Sequence, residues 1–456
     1  MKFPLICQIL TYQLLIVSIL YVQSSGALSI DVAKLKKYVV SRPNNQIRIE
    51  PHTDESFDYN EYKNETIFSS EKIPVKYWKN QKKEALQLRI ENEVKYSANA
   101  GIVASTDVFR FYNQLNTNEQ QIYDIIYNGS SKPYPDVEIK VVISGITDVY
   151  SFIDELIISA EKIFTVLSYE NPELWWIGTY QFVIVSTQTQ NQYVISFLTI
   201  PEDSTFYGYD NKDLFKINQE VDEAKNKLVN EIRGLNITTP YSILRYLHDY
   251  FITNIVYTLD DSRKHIRTLY GALVENKCVC EGYAEAFQYI AKQFDINCIV
   301  ARSSSHEWNF VELNNKWYVV DLTYDDPMIN GENTPSGSNA NLKLDYFLIG
   351  TEDKVSANTK YSEEPNHILI FSGFSDKEMV SYPIIEKKAY SPTELDLEQL
   401  FTLSLSVPPS GSNILFINDP QYKDKNYSND ALSIKKLSII TSYHFIITLV
   451  ILFFLI

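Results

Sequence analysis

The run from residue 306 to residue 323 constrains the fold most, because it specifies both a hairpin and its register. Asn314-Asn315 stands between two apolar runs, and asparagine tolerates the positive φ angles that a two-residue hairpin turn requires. In that register His306 and Asp321 are diagonal neighbours on one face of the hairpin, close enough for their side chains to interact. A three-residue turn would shift the register by one residue and move Asp321 to the opposite face.

A second pattern places a cysteine at the start of a helix. Apolar residues recur at helical spacing over 281–294, and Cys280 stands directly before them. Free backbone N–H groups and the positive end of the helix dipole lie at that point, so we expect a lowered thiol pKa. With His306 as base and Asp321 as orienter, the thiol would complete a nucleophilic triad. Taken singly, a buried structural cysteine, a surface histidine and a strand-end carboxylate are commoner; their joint placement favours the triad.

Three short blocks carry a resemblance to a known family. They read CEGYAEAF at 280–287, HEWNFV at 306–311 and WYVVDLT at 317–323. In order and spacing they resemble the transglutaminase-like superfamily, over roughly residues 241–327, and residues 169–176 resemble an accessory segment of some microbial-type members. The resemblance implies an α+β fold with a papain-like core, in which a helix carries Cys280 as nucleophile. An antiparallel sheet would carry His306 as base and Asp321 as orienter, with an α/β accessory region ahead of the core.

The same resemblance implies a class of reaction. Members transfer a glutamine acyl group to an amine or hydrolyse amide and peptide bonds, so we expect a protein or peptide substrate and no cofactor or metal. Gly282, Tyr283 and Trp308 are candidates for lining the substrate cleft. The alternative is a catalytically inactive module of the same fold that binds or supports a surface. Another alternative, structural zinc, fits poorly because such sites favour cysteines paired two to four residues apart, unlike Cys278, Cys280, Cys298 and His306.

The charge of the chain argues against nucleic acid as a partner. Asp and Glu number 57 and Lys and Arg number 41, which gives a net charge of −16. Binding to phosphate backbones needs clustered cations, and an acidic surface opposes it. The oligomeric state is not indicated by any pattern.

Both ends of the chain predict passage through the secretory pathway. Residues 1–26 have one lysine, an apolar stretch and then small residues, which is typical of a signal peptide. The apolar run at 437–456 follows small residues and a polar spacer, which predicts either a glycolipid-anchor signal or a membrane-spanning helix. We therefore expect a protein anchored at the cell surface or extracellular. Four sequons agree with this route and make these asparagines glycosylation candidates: Asn64, Asn128, Asn236 and Asn426.

Between these ends we expect four segments. They are an irregular polar arm at 27–96, an accessory α/β region at 97–235, a transglutaminase-like domain at 236–407 and a polar linker at 408–436. Three cysteines remain after signal removal, and an odd number leaves at least one of them free or bonded to another molecule. A Cys278–Cys298 disulfide with Cys280 free would satisfy that count.

Overall fold

The computed structural model of the protein describes residues 47–51, 66–76, 109–326 and 343–405, apart from residues 202, 261, 374 and 376. The predicted signal, linker and hydrophobic tail lie outside these ranges, so they remain predictions. Within the described ranges no helix combines the length and the apolar character needed to cross a bilayer.

Six strands form an antiparallel sheet in the first half of the described chain. They are β1 (Arg48–Pro51), β2 (Thr66–Ser69), β3 (Ile73–Pro74), β4 (Glu138–Ser144), β5 (Ile177–Ser186) and β6 (Gln192–Pro201). Their order is β1-β4-β6-β5-β2, with β3 also paired to β5. The central β5–β6 hairpin is the one that alternating apolar residues on either side of a polar turn predict, and it is confirmed.

Capped helices accompany this sheet. They are α1 (Thr117–Ser130), α2 (Val149–Glu170), the short α3 (Asp203–Phe206) and α4 (Asn211–Gly234). A side chain accepts hydrogen bonds from first-turn amides at three of the starts, at Asn116, Asp148 and Asp210. Such caps satisfy backbone donors that have no partner within the helix, and they fix where each helix begins.

A four-stranded antiparallel sheet forms the second half, in the order β12-β11-β10-β9. The strands are β9 (Cys298–Arg302), β10 (Glu307–Leu313), β11 (Lys316–Val320) and β12 (Phe347–Ile349). Asn314 and Asn315 have φ angles of 55° and 61°, and Leu313 pairs with Lys316. The two-residue turn and the register predicted from the sequence are therefore confirmed.

Helices and one small parallel pair enclose the second sheet. They are α5 (Pro240–Asn254), β7 (Val256–Tyr257), α6 (Leu269–Leu273), β8 (Lys277–Cys278), α7 (Cys280–Ala291), α8 (Leu322–Asp325) and α9 (Glu394–Leu405). All residues of α7 except Glu281 are buried, because this helix contacts α5, α6, β9 and β10. A helix surrounded in this way has no solvent face, which explains its alanines, glycine and rings. Helices and antiparallel sheets together agree with the predicted α+β class.

The two halves share one continuous hydrophobic core. Arg302 of β9 lies across the boundary between them, and its Nη1 donates to Ser168 Oγ of α2 at 2.9 Å. The guanidinium also lies 4.5 Å from the ring centroid of Tyr169. Residues 109–235 therefore pack as an extension of the core.

The predicted irregular arm differs from the structure in its described stretches. Residues 48–51 and 66–74 form β1, β2 and β3, which lie at the edges of the first sheet and beside β5. Their short length and scattered polar residues gave no strong alternation, and their hydrogen bonds come from distant strands. Lys76, which follows β3, forms a buried ion pair with Glu285 of α7.

Candidate active site

Cys280 is the first residue of α7, where the sequence predicts it. Val279 precedes it in an extended conformation and has no side chain that caps the helix. The amides of Gly282 and Tyr283 donate to the Val279 carbonyl, so the amides of the first two helical residues are the ones without a partner within the helix. Cys280 is only 6% exposed.

The thiol is paired with its neighbour in sequence. Cys280 Sγ donates to Glu281 Oε2 at 3.1 Å, and Arg267 Nη1 donates to Glu281 Oε1 at 2.7 Å. Burial and then the charge and hydrogen bond of Glu281 raise the pKa of Cys280 well above its ordinary value, although the backbone amide of Glu307 lowers it. The prediction of a lowered thiol pKa is therefore wrong for the free protein. A carboxylate at 3.1 Å offsets what the helix terminus contributes.

Glu281→Gln should increase the rate at which iodoacetamide alkylates Cys280 at neutral pH. The substitution removes the negative charge that raises the pKa of the thiol, so the inflection of the alkylation profile should move to lower pH. Below the pKa, each unit of downward shift increases the reactive thiolate about tenfold. Alkylation rates between pH 6 and 10 check this, with Glu223→Gln on α4 as a matched control. An unchanged or slower rate would show that Glu281 does not restrain the thiol.

His306 lies at the entrance to β10, held by a tight turn. Its backbone N–H donates to Ser303 Oγ at 3.1 Å, and its carbonyl accepts from Ser303 N at 2.9 Å. The imidazole is stacked on the Trp308 indole, with the rings inclined by 14° and their centroids 5.6 Å apart. The turn and the indole together fix the direction of the ring.

Asp321 follows β11 and accepts from the histidine, as the register predicts. His306 Nε2 and Asp321 Oδ2 are 2.5 Å apart, and Asp321 Oδ1 accepts from Tyr324 N at the start of α8 at 3.1 Å. Burial alone would raise the pKa of Asp321, but the charge and hydrogen bond of His306, followed by those of His367, lower it well below its ordinary range. Asp321 is therefore a carboxylate at every physiological pH.

His367 is a member of this cluster that the sequence did not indicate. It ends the short 3₁₀ helix Pro365–His367, and its Nε2 lies 2.9 Å from Asp321 Oδ2. Its segment carries no strand or helix periodicity that would have placed it on the same face as Asp321. Only its residue type, one of six histidines in the chain, could have drawn attention to it.

A cavity of about 290 Å³ opens beside these residues. Its walls come from five separate parts of the chain: Tyr257, Cys280, Ser305, His306, Thr323, Tyr324, Asp326 and Asn366. Cys280 and His306 therefore face the same space. No hydrogen bond joins the thiol to the imidazole in the described part of the chain, because the thiol donates to Glu281.

The three predicted cleft residues lie elsewhere. Gly282 faces Cys278, and a Cβ at this glycine would lie 2.6 Å from Cys278 Sγ. The Tyr283 hydroxyl donates to Asp326 Oδ2 at 2.8 Å within the core, and the buried Trp308 supports His306. All three residues are packed behind the cavity, because helix and strand faces that contact one another have no surface left for a substrate.

Three groups in the site could in principle hold a metal ion, since ligand atoms of His306, Asp321 and His367 lie within 4.8 Å of one another. A tetrahedral zinc ion with bonds of about 2.0–2.2 Å would hold its ligand atoms about 3.3–3.6 Å apart. The 2.5 Å and 2.9 Å distances from Asp321 Oδ2 to the two imidazoles are instead those of direct hydrogen bonds. We therefore treat the cluster as a hydrogen-bonded chain.

The cysteines and sequons complete the comparison with the sequence. Cys278, Cys280 and Cys298 are all buried free thiols, so the Cys278–Cys298 disulfide is absent. The Cys298 carbonyl accepts a hydrogen bond from Gln288. Gln288 lies eight helical residues, about 12 Å, along α7 from Cys280, whereas Cys278 stands just before the start of that helix.

The predicted glycosylation sites are only partly described. Asn128 and Asn236 are exposed, and Asn64 and Asn426 lie outside the described residues.

Comparisons with known proteins add little to this geometry. No protein-family model matches the chain, and no curated protein matches it. A solved structure described as "Crystal structure of a TGase" is similar at 11% identity and a TM-score of 0.22. The match covers 34% of this chain and 45% of that one. A likeness of this size carries no conclusion about fold, activity or substrate.

Proposed function

We propose that this protein is a thiol-dependent acyltransferase or amidase in which Cys280 is the nucleophile, His306 the base and Asp321 the residue that orients it. The observation that carries the proposal is the shared cavity of Cys280 and His306, with Asp321 hydrogen-bonded to the histidine from behind. Because His306 Nε2 is engaged by Asp321, its Nδ1 remains for the thiol proton.

The reaction would begin with the Cys280 thiol turning from Glu281 towards His306. Sγ attacks the carbonyl carbon of a carboxamide or peptide bond while its proton passes to His306 Nδ1. The C–N bond then breaks, the leaving amine takes that proton, and the acyl group stays on sulfur as a thioester. Water or an amine next gives a proton to His306 and attacks the thioester carbon. The C–S bond then breaks, the acid or new amide leaves, and His306 returns the proton to the sulfur of Cys280.

The oxyanion formed in each addition needs nearby donors. The backbone N–H of Cys280 belongs to the first turn of α7, where amides have no partner within the helix. Fixed N–H groups that point at the reacting carbonyl oxygen stabilise developing negative charge without reorganisation. We assign this role to the Cys280 amide.

The decisive experiment uses the purified protein with a glutamine-containing peptide, with and without a primary amine, followed by mass spectrometry. Conversion of the amide to an acid would indicate deamidation, an amine adduct acyl transfer, and two fragments proteolysis. Cys280→Ala should abolish every product, whereas Cys298→Ala, at a buried thiol on β9 that does not line the cavity, should retain them. Equal activity in both variants would exclude Cys280 as the nucleophile.

The raised thiol pKa favours a second candidate, a catalytically inactive module that binds at a surface. Such a protein would have the same fold and the same buried cluster, but it would give no product in the peptide experiment. It would also show no thioester with an activated acyl donor, even when Glu281→Gln accelerates alkylation.

We also propose that the protein acts in the secretory pathway or at the cell surface, attached through its C-terminal tail. This rests on the terminal patterns and the sequons, two of which have exposed asparagines. Its partners would then be surface or extracellular proteins and peptides.

A further inference from the structure

His367 occupies an unusual position behind the candidate triad. Its side chain is fully buried, with Nε2 at 2.9 Å from Asp321 Oδ2 and Nδ1 at 2.8 Å from Glu364 Oε2. The imidazole therefore lies between two carboxylates. The Nε2 contact is a hydrogen bond, whereas the Nδ1 contact is an ion-pair distance without hydrogen-bond alignment. Only the protonated imidazole carries a charge that attracts both acids.

The surroundings of His367 support the cationic form. Burial alone would lower the pKa of His367, but its close contacts with the carboxylates of Asp321 and Glu364 raise that pKa above its ordinary value. Rings enclose it on several sides, the nearest being Trp308 at a centroid distance of 4.7 Å. The titratable groups that face it from all packed elements are Asp321, Glu364, His306, Tyr324, Tyr346 and Tyr361.

The contact with His367 changes what Asp321 can do. Asp321 Oδ2 receives two N–H donors, from His306 and from His367, while Oδ1 receives the amide of Tyr324. Three donors, spread over both oxygens, restrict rotation of the carboxylate. The direction of Asp321 in turn fixes the tautomer and orientation of His306.

We propose that His367 is a positioning residue that holds Asp321, and through it His306, in the orientation needed for the transfer of the thiol proton. The inference rests on the proposed function, because it assigns His367 a part in that same site. His367 does not line the cavity, and its hydrogen bond to the candidate triad goes to Asp321. Its ring also packs on His306 and Tyr324, which do line the cavity. Its positive charge also offsets part of the negative charge of Asp321.

Two substitutions separate donation from charge. His367→Gln retains an N–H that can reach Asp321 but removes the positive charge, whereas His367→Leu removes both. We expect His367→Leu to lower kcat by about 10–100-fold with little change in KM, the range known for outer-shell partners of catalytic and metal-binding groups. His367→Gln should recover most of kcat, and the acidic limb of its pH–rate profile should move to higher pH because a neighbouring cation is lost.

A control and a readout that needs no turnover accompany these variants. His265→Gln changes a buried histidine outside the site and should leave kcat and the pH profile as they are. Proton NMR of protein with ¹⁵N-labelled histidine should show a low-field N–H signal for the 2.5 Å His306–Asp321 bond. That signal should persist in His367→Gln and be lost or shifted in His367→Leu.

The outcomes distinguish this inference from the proposed function. Unchanged kcat and an unchanged NMR signal in His367→Leu would overturn the positioning role. Equal losses in the Leu and Gln variants, without a shift of the acidic limb, would also overturn it and indicate packing alone. If the wild-type protein turns over no peptide but the NMR signal depends on His367 as described, the positioning role stands and the proposed enzymatic function fails.

Discussion

Replacing Asp321 with asparagine should lower kcat/KM on a glutamine peptide by about 10³–10⁴-fold, the loss seen when the acid behind a catalytic histidine is replaced by its amide. An asparagine amide offers one oxygen in place of two, and its NH₂ group can turn towards His306 and favour the wrong tautomer. His306 and His367 would then compete for a single weaker acceptor.

Folding should tolerate this change better than activity does. Asp321 also caps α8 through the amide of Tyr324, and asparagine caps helices as well as aspartate does. Asp210→Asn makes the same substitution at the exposed cap of α4 and is the matched control. Kinetics and thermal unfolding of both variants check the prediction. A loss in Asp321→Asn of less than about tenfold would remove Asp321 from the mechanism.

Arg302→Met should reduce the free energy of unfolding by about 3–5 kcal/mol, the cost of leaving one partner of a buried ion pair uncompensated. Arg302 Nε donates to Glu307 Oε2 at 2.7 Å, and both side chains are 4% exposed. The substitution also removes the contacts of Arg302 with Ser168 and Tyr169 that join the two halves of the core. Methionine fills similar volume, so the missing charge dominates the effect.

An exposed ion pair provides the comparison for Arg302. Lys132 and Asp136 form a pair whose side chains are about half exposed, and such pairs contribute about 0–1 kcal/mol. Denaturant titration of Arg302→Met and Lys132→Met should therefore give clearly different midpoints. Equal midpoints would mean that the Arg302–Glu307 pair does not stabilise the folded state.

The local parts of the site could be predicted from the sequence because their causes are local. Asn314 and Asn315 fix a two-residue turn, and the period of two along β10 and β11 then brings His306 to Asp321. Helical spacing after Cys280 likewise sets the start of α7. These relations depend only on neighbouring residues.

Features that depend on distant contacts could not be predicted in this way. His367 approaches Asp321 from 46 residues away, through a segment without regular periodicity. The raised pKa of Cys280 depends on burial and on the side-chain direction of Glu281, which spacing does not reveal. β1 to β3 acquire their hydrogen bonds from β4 and β5, so their own residues predict them only weakly.

The buried pairing of Lys76 with Glu285 has a practical consequence for anyone who shortens the polypeptide. A fragment that begins near residue 236 would retain Cys280, His306 and Asp321 but would leave the acid on α7 with no counterion from upstream. It would also expose the apolar side of β9 that α2 covers. A fragment limited to residues 236–407 would thus contain only part of the shared hydrophobic core, and we expect it to be insoluble.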